Sequence, residues 1–106
     1  MLKLERKVVK FAPQKGVEFS LRVAGIADQF SSSSEFEDIE GDEVRQLAAS
    51  LYRSIDTWKG VEIDGEEVAD KHDLVLALME YAPDVTFKLL AEINKLNGLT
   101  EDESRD

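Results

Sequence analysis

The sequence predicts an α+β fold: an N-terminal β-hairpin and a third short strand packed against three to four α-helices. Three observations carry this. Apolar and polar residues alternate along 8–23, apolar residues recur at helical spacing along 43–54 and 70–98, and β-branched and aromatic residues crowd the stretch between. At 106 residues one α+β domain is expected over 1–99. Such a chain can bury roughly two-thirds of the surface its unfolded form exposes.

The hairpin is read from Val17, Phe19, Leu21 and Val23, which alternate with Glu18, Ser20 and Arg22. Val9 and Phe11 flank Lys10 in the preceding strand, and Pro13-Gln14-Lys15-Gly16 lies between. A three-residue loop, Gln14-Lys15-Gly16, with Gly16 left-handed in a bulge, sets Phe11 opposite Phe19 and Val9 opposite Leu21. A slip of one residue would place Lys10 against Phe19 and destroy the match.

Ala24 to Phe30 suits a short helix. Ser31 to Ser34 is followed by six acids within the nine residues 35–43, so 31–40 reads as an acidic serine-rich loop within the domain. Val44, Leu47, Ala48, Leu51 and Ile55 then fall on one helical stripe, with Asp42 placed as N-cap. Thr57, Trp58, Val61 and Ile63 suit a short strand or extended crossing that ends at an Asp64-Gly65 turn. This would give the hairpin the third strand it needs for stability.

Asp70 can cap a helix carrying Leu74, Val75, Leu78, Met79 and Tyr81. Pro83 stops it, and Asp84 is placed to cap a last helix carrying Phe87, Leu90, Ile93 and Leu96. Gly98 suits the left-handed position after a helix end, which leaves 100–106 as a disordered acidic tail.

Composition narrows the function. No cysteine is present, which removes disulfide frameworks and thiolate metal sites. Lys10 interrupts the apolar run that a signal peptide would need, and no run approaches the roughly 20 apolar residues of a membrane span. A cytoplasmic protein is expected. Residues 1–23 carry six Lys/Arg and two acids, a net +4, whereas the other 83 carry seven and 21, a net −14. An acidic body repels phosphate backbones, so no nucleic-acid partner is expected, and the basic segment reads as a solvated strand face.

No catalytic, cofactor or metal residue is assigned. His72 is the only histidine, and with no Gly-x-Ser-x-Gly elbow to supply a nucleophile it reads as an exposed first-turn helical residue. Glu62-Ile63-Asp64-Gly65-Glu66 is a fragment of a calcium loop without its remaining ligands. Neither phosphate-binding glycine pattern occurs. Trp58 stands out as the only tryptophan. Core anchoring is the commoner role for such a residue, and partner binding from a strand turn is the other.

The stretch Trp58-Lys59-Gly60-Val61-Glu62-Ile63-Asp64-Gly65-Glu66 resembles a segment of tail proteins from long-tailed bacteriophages and prophages. There a tryptophan-glycine-valine phrase runs into an aspartate-glycine turn. An apolar helix and a proline-aspartate start to a last helix follow, as Asp73 to Leu78 and Pro83-Asp84 do here. The resemblance covers roughly residues 45–99 and is closest to the tail assembly chaperones.

It implies a non-enzymatic protein, without nucleotide or metal, that binds the tape-measure protein and keeps it soluble in the host cytoplasm while tail-tube subunits polymerise around it. Partner-binding candidates are then Trp58, Leu78, Met79, Phe87 and Leu90, apolar residues of the kind that cover a client's exposed stripe. The alternative is a tail structural component (tube, connector or completion protein) that forms rings, its hairpin adding strands at an exposed edge. Self-association is compatible with either role.

Overall fold

The computed structural model describes residues 2, 8–23 and 35–105, with side chains through Leu96. Strand β1 (Val8–Gln14) and strand β2 (Val17–Arg22) form the expected antiparallel hairpin, with Val9 paired to Leu21 and Phe11 to Phe19. Its end differs in detail. Lys15-Gly16 make a two-residue turn closed by Gln14 and Val17, and the irregularity lies between Phe11 and Gln14. Pro13 falls in that stretch, where it has no N–H to give to a ladder.

Helix α1 (Asp42–Ser54) leads into strand β3 (Ile55–Lys59) with no residue between them. Ile55 is both the cap of the helix, donating its N–H to the Leu51 carbonyl, and the first residue of the strand. β3 completes a sheet of order β1-β2-β3. It pairs Trp58 with Phe19 and Ile55 with Leu21, and a register shift leaves Asp56 as the extra residue. That shift matters because Ile55 and Trp58 are three positions apart, an odd spacing that a regular strand would send to opposite faces.

Strands β4 (Glu62–Ile63) and β5 (Glu66–Glu67) form a small second hairpin about the expected Asp64-Gly65 turn. Both turn residues have positive φ, 52° and 84°, the requirement of a type I′ turn. Helix α2 (Lys71–Tyr81) begins at Asp70, whose carboxylate accepts from the Asp73 N–H at 3.3 Å, as expected of the cap. Helix α3 (Pro83–Arg105) follows after the single residue Ala82.

Among the described residues the buried apolar side chains form one cluster. Phe19 and Leu21 come from β2, Ala48, Ala49 and Leu51 from α1, and Ile55 from β3. Leu74, Val75 and Leu78 of α2, with Leu89 and Ile93 of α3, complete it together with Phe36. α3 lies against β1 and β2, α1 against β3, and α2 packs on the other two helices.

Several expectations are corrected. Gly41, at φ 95°, is the N-cap of α1, and Asp42 is its first helical residue, paired with Arg45. Asp42 and Glu43 instead supply the negative charge that the helix dipole favours in a first turn. Val44 and Leu47 remain 42% and 40% exposed, because the expected stripe is buried only along the C-terminal half of α1. Ala82, not Asp84, opens α3, since its carbonyl accepts the first helical bond from Thr86 and Pro83 takes the position where a missing N–H costs nothing.

Nor does Gly98 end α3, whose backbone stays helical to Arg105, so 100–105 of the expected disordered tail are helix. A mid-helix glycine costs only about 1 kcal/mol relative to alanine, too little to stop a helix by itself. The short helix read over 24–30 and the serines at 31–34 lie outside the described residues.

Candidate protein-binding surface

Within the expected acidic loop, Glu35–Glu40 is no simple solvated run. Phe36 is buried in the core, and its ring stacks on His72 at 4.8 Å and meets Tyr52 edge-on at 5.7 Å. Glu35 lies 3.4 Å from His72 Nδ1. His72 is therefore half-buried against the core and not the exposed residue expected, because its ring covers Phe36.

Lys71 closes the cluster from above. Its ammonium sits 4.9 Å over the Tyr52 ring and donates to the Tyr52 carbonyl at 3.0 Å. Burial raises the Tyr52 phenol above its usual value near 10, and the nearby charges of Glu35 and Asp70 push in the same direction. The cluster fastens 35–39 onto α1 and α2 through ring stacking and the Glu35–His72 contact.

The five expected partner residues fall into three environments. Leu78 is in the core and is not available to a client. Met79 and Leu90 are half-buried and pack on the cluster's edge. Trp58 is also half-buried, with its indole N–H donating to the Val68 carbonyl at 2.8 Å, so it ties β3 to the chain leaving β5.

Phe87 is the exception at 68% exposed, and Tyr81, not anticipated as a partner residue, is 74% exposed. Both flank the α2–α3 corner. That corner is braced from inside by Thr86, whose hydroxyl shares its one proton between the carbonyls of Leu78 at 2.6 Å and Ala82 at 2.9 Å. A buried threonine in a helical apolar run gives no distinct sequence signal, though its spacing of eight from Leu78 is compatible with a corner contact.

Comparison with known protein families, curated sequences and solved structures finds no match.

A second feature lies along α2. The β4–β5 hairpin stands beside the helix and leaves a groove of about 690 Å³. Val68, Leu76 and Ala77 give it apolar lining, while Asp64, Glu66, Glu67, Asp70, Asp73 and Glu80 surround it with carboxylates. Among the described residues no Lys or Arg lines it. A smaller groove of about 340 Å³ shares Ile63, Asp64, Ala77 and Tyr81 and continues past Leu78 to Ala82. Among the described residues no group of three or more acids or histidines is arranged to hold a metal ion. No helix among them is long and apolar enough to cross a membrane.

Proposed function

We propose that this chain is a non-enzymatic protein-binding domain that acts as a tail assembly chaperone of long-tailed bacteriophages or prophages. In this reading it binds the tape-measure protein in the host cytoplasm and keeps it soluble until tail-tube subunits enclose it. The observation that carries the reading is the pair of large aromatic side chains, Tyr81 and Phe87, left in water at one corner of an otherwise acidic chain.

Fully covering one such side chain is worth about 1.5–3 kcal/mol. Two at one corner, beside the half-buried Met79 and Leu90, give a helical client an apolar strip to lie on. The net charge of −10 then keeps the coated complex apart from its neighbours. The resemblance over residues 45–99 supplies the identity of the client, and the exposed corner supplies the place where it would sit.

The test is co-expression with the long helical tape-measure protein encoded nearby, scoring whether that client stays soluble and co-purifies. Capture by the native chain, lost in Tyr81→Asp/Phe87→Asp with an unchanged circular dichroism spectrum, supports the reading. Failure of the native chain to capture the client, with the chain instead present in purified tails, supports the second reading.

That second reading is a ring-forming tail structural component. It is favoured by β1, which lies at the edge of the sheet among the described residues with Val8 and Val9 exposed and so offers a place for strand addition by a neighbouring subunit.

A further inference from the structure

We propose that the partner segment bound at the Tyr81 corner is a cationic amphipathic helix of about three turns. It lies along α2 with its apolar stripe in the trough beside that helix and its Lys or Arg side chains against the carboxylates at the rim. The inference rests on the protein-binding reading of this corner and adds the chemistry of what binds there.

An apolar trough comes first. Val61 and Ile63 line one wall of the groove of about 340 Å³, and Ala77, Leu78 and Ala82 line the other. Tyr81 borders it with its ring 74% exposed, so the trough opens onto the α2–α3 corner where Phe87 also meets water. Ile63, Ala77 and Tyr81 line the larger groove as well, and that groove runs back to Asp70 at the start of α2. From the N-cap Asp70 to the C-cap Ala82 the helix rises about 18 Å at 1.5 Å per residue, about three turns of a partner helix. A trough along one helix matches the single apolar stripe of an amphipathic second helix.

Charge then fixes what borders that stripe. Glu62 and Asp64 stand on the hairpin side, Asp73 and Glu80 on the α2 side, and all four are exposed. Side chains that flank the partner's stripe therefore meet negative charge on both sides. Lys or Arg at those positions is attracted, and Glu or Asp there is repelled. The body of the chain adds to this preference, since residues 24–106 carry 21 acids against seven Lys/Arg. Arg has a further use, because its guanidinium can lie flat on an exposed ring such as that of Tyr81.

Titration calorimetry of the full chain at 0.15 M salt, where exposed charges are screened beyond about 8 Å, tests this with three helical peptides of about 14 residues. The first has a Leu stripe bordered by Lys and Arg. The second has the same stripe bordered by Gln, and the third keeps the cations but has Ser in place of Leu. The first should bind at least about tenfold more tightly than either of the others and shift the amide resonances of Ala77 and Tyr81. Glu62→Lys/Asp64→Lys should weaken it by a similar factor and admit a Glu-bordered version of the peptide. Glu80→Lys, on the exposed side of α2, provides a second rim variant should the hairpin substitutions disturb folding.

Equal binding of the Gln-bordered peptide overturns the proposal, as does failure of all three to bind. Equal binding of the Ser peptide overturns it in favour of an unselective acidic patch. A tenfold gain for the first peptide on Lys3→Gln/Arg6→Gln/Lys7→Gln overturns it in favour of the chain's own N-terminal segment as the occupant. Tape-measure capture that survives both rim variants would remove this inference and leave the chaperone reading standing. Selective binding of the first peptide without tape-measure capture would support the inference and remove the client's identity.

Discussion

The two hairpins of this molecule are built on opposite plans. The β1–β2 hairpin has strands of seven and six residues, and β2 sinks Phe19 and Leu21 completely into the core. The β4–β5 hairpin has strands of two, and Glu62, Glu66 and Glu67 are all exposed. Apolar side chains hold the first. The second rests on the backbone preference of its Asp64-Gly65 turn and on tethers just outside it, the Val68 N–H to the Val61 carbonyl at 3.1 Å and the Trp58 indole to the Val68 carbonyl. A two-stranded ribbon of that length is not stable alone. The wall of the acidic groove is therefore only as firm as the residues that moor it.

The comparison breaks most readily at Phe19. Phe19→Ala should cost about 3–5 kcal/mol in denaturant unfolding, since it empties a site shared by β2 and the opposing Trp58. A loss below about 1.5 kcal/mol would mean that burial does not hold the first hairpin.

Gly60→Ala tests where the hairpins meet. At φ 77°, an added Cβ would lie 1.9 Å from the Gly16 carbonyl oxygen, and backbone must move to admit it. Strain and displacement together should cost roughly 2–4 kcal/mol, read as a lowered thermal midpoint. An unchanged midpoint would show that the two turns do not depend on this contact.

Trp58→Phe keeps most of the ring and removes the indole N–H. A loss of about 1 kcal/mol is expected, with faster amide exchange at Val68 and unchanged exchange at Phe19 and Leu21. Uniform acceleration would contradict the view that the second hairpin opens by itself.

The smallest effect is a reference outside both hairpins. The raised Tyr52 phenol holds its proton more firmly in the folded chain than in the unfolded one. Its contribution is thus whole below about pH 10 and is lost as pH rises through the raised value. Tyr52→Phe should flatten the alkaline limb of the stability curve, and an unaltered slope would refute this.

Much of the architecture could be read from residue order because local signals agreed with one another. Alternation fixed the register of β1 and β2, the Asp64-Gly65 pair fixed a turn, and Asp70 marked the start of α2. What escaped was set by neighbours. Phe87, Leu90, Ile93 and Leu96 look like a stripe but step by three each time. At about 100° per residue, the first and last lie on opposite sides of the helix. Leu89 and Ile93, four apart, form the buried line, and Phe87 faces water.

Phe36 was hidden by the acids around it, although its partner ring is 36 residues away in sequence at His72. The bulge at Asp56 has no signature in a period of two. Of the candidate surface, Phe87 was named from the sequence but for the wrong geometric reason. The groove was missed because its acids read as solvated until the turn set one group of them opposite the other.

The junction at Ser54 and Ile55 has a mechanical consequence. Where a loop would absorb an error in length, this joint has no slack. One inserted residue would rotate α1 by about 100° or send every β3 side chain to the other side of the sheet. Helix and strand behave as two arms of one crank, and the angular setting of α1 against the core is transmitted directly to the phase of the strand that carries Trp58. Tolerance to insertion should therefore be least here.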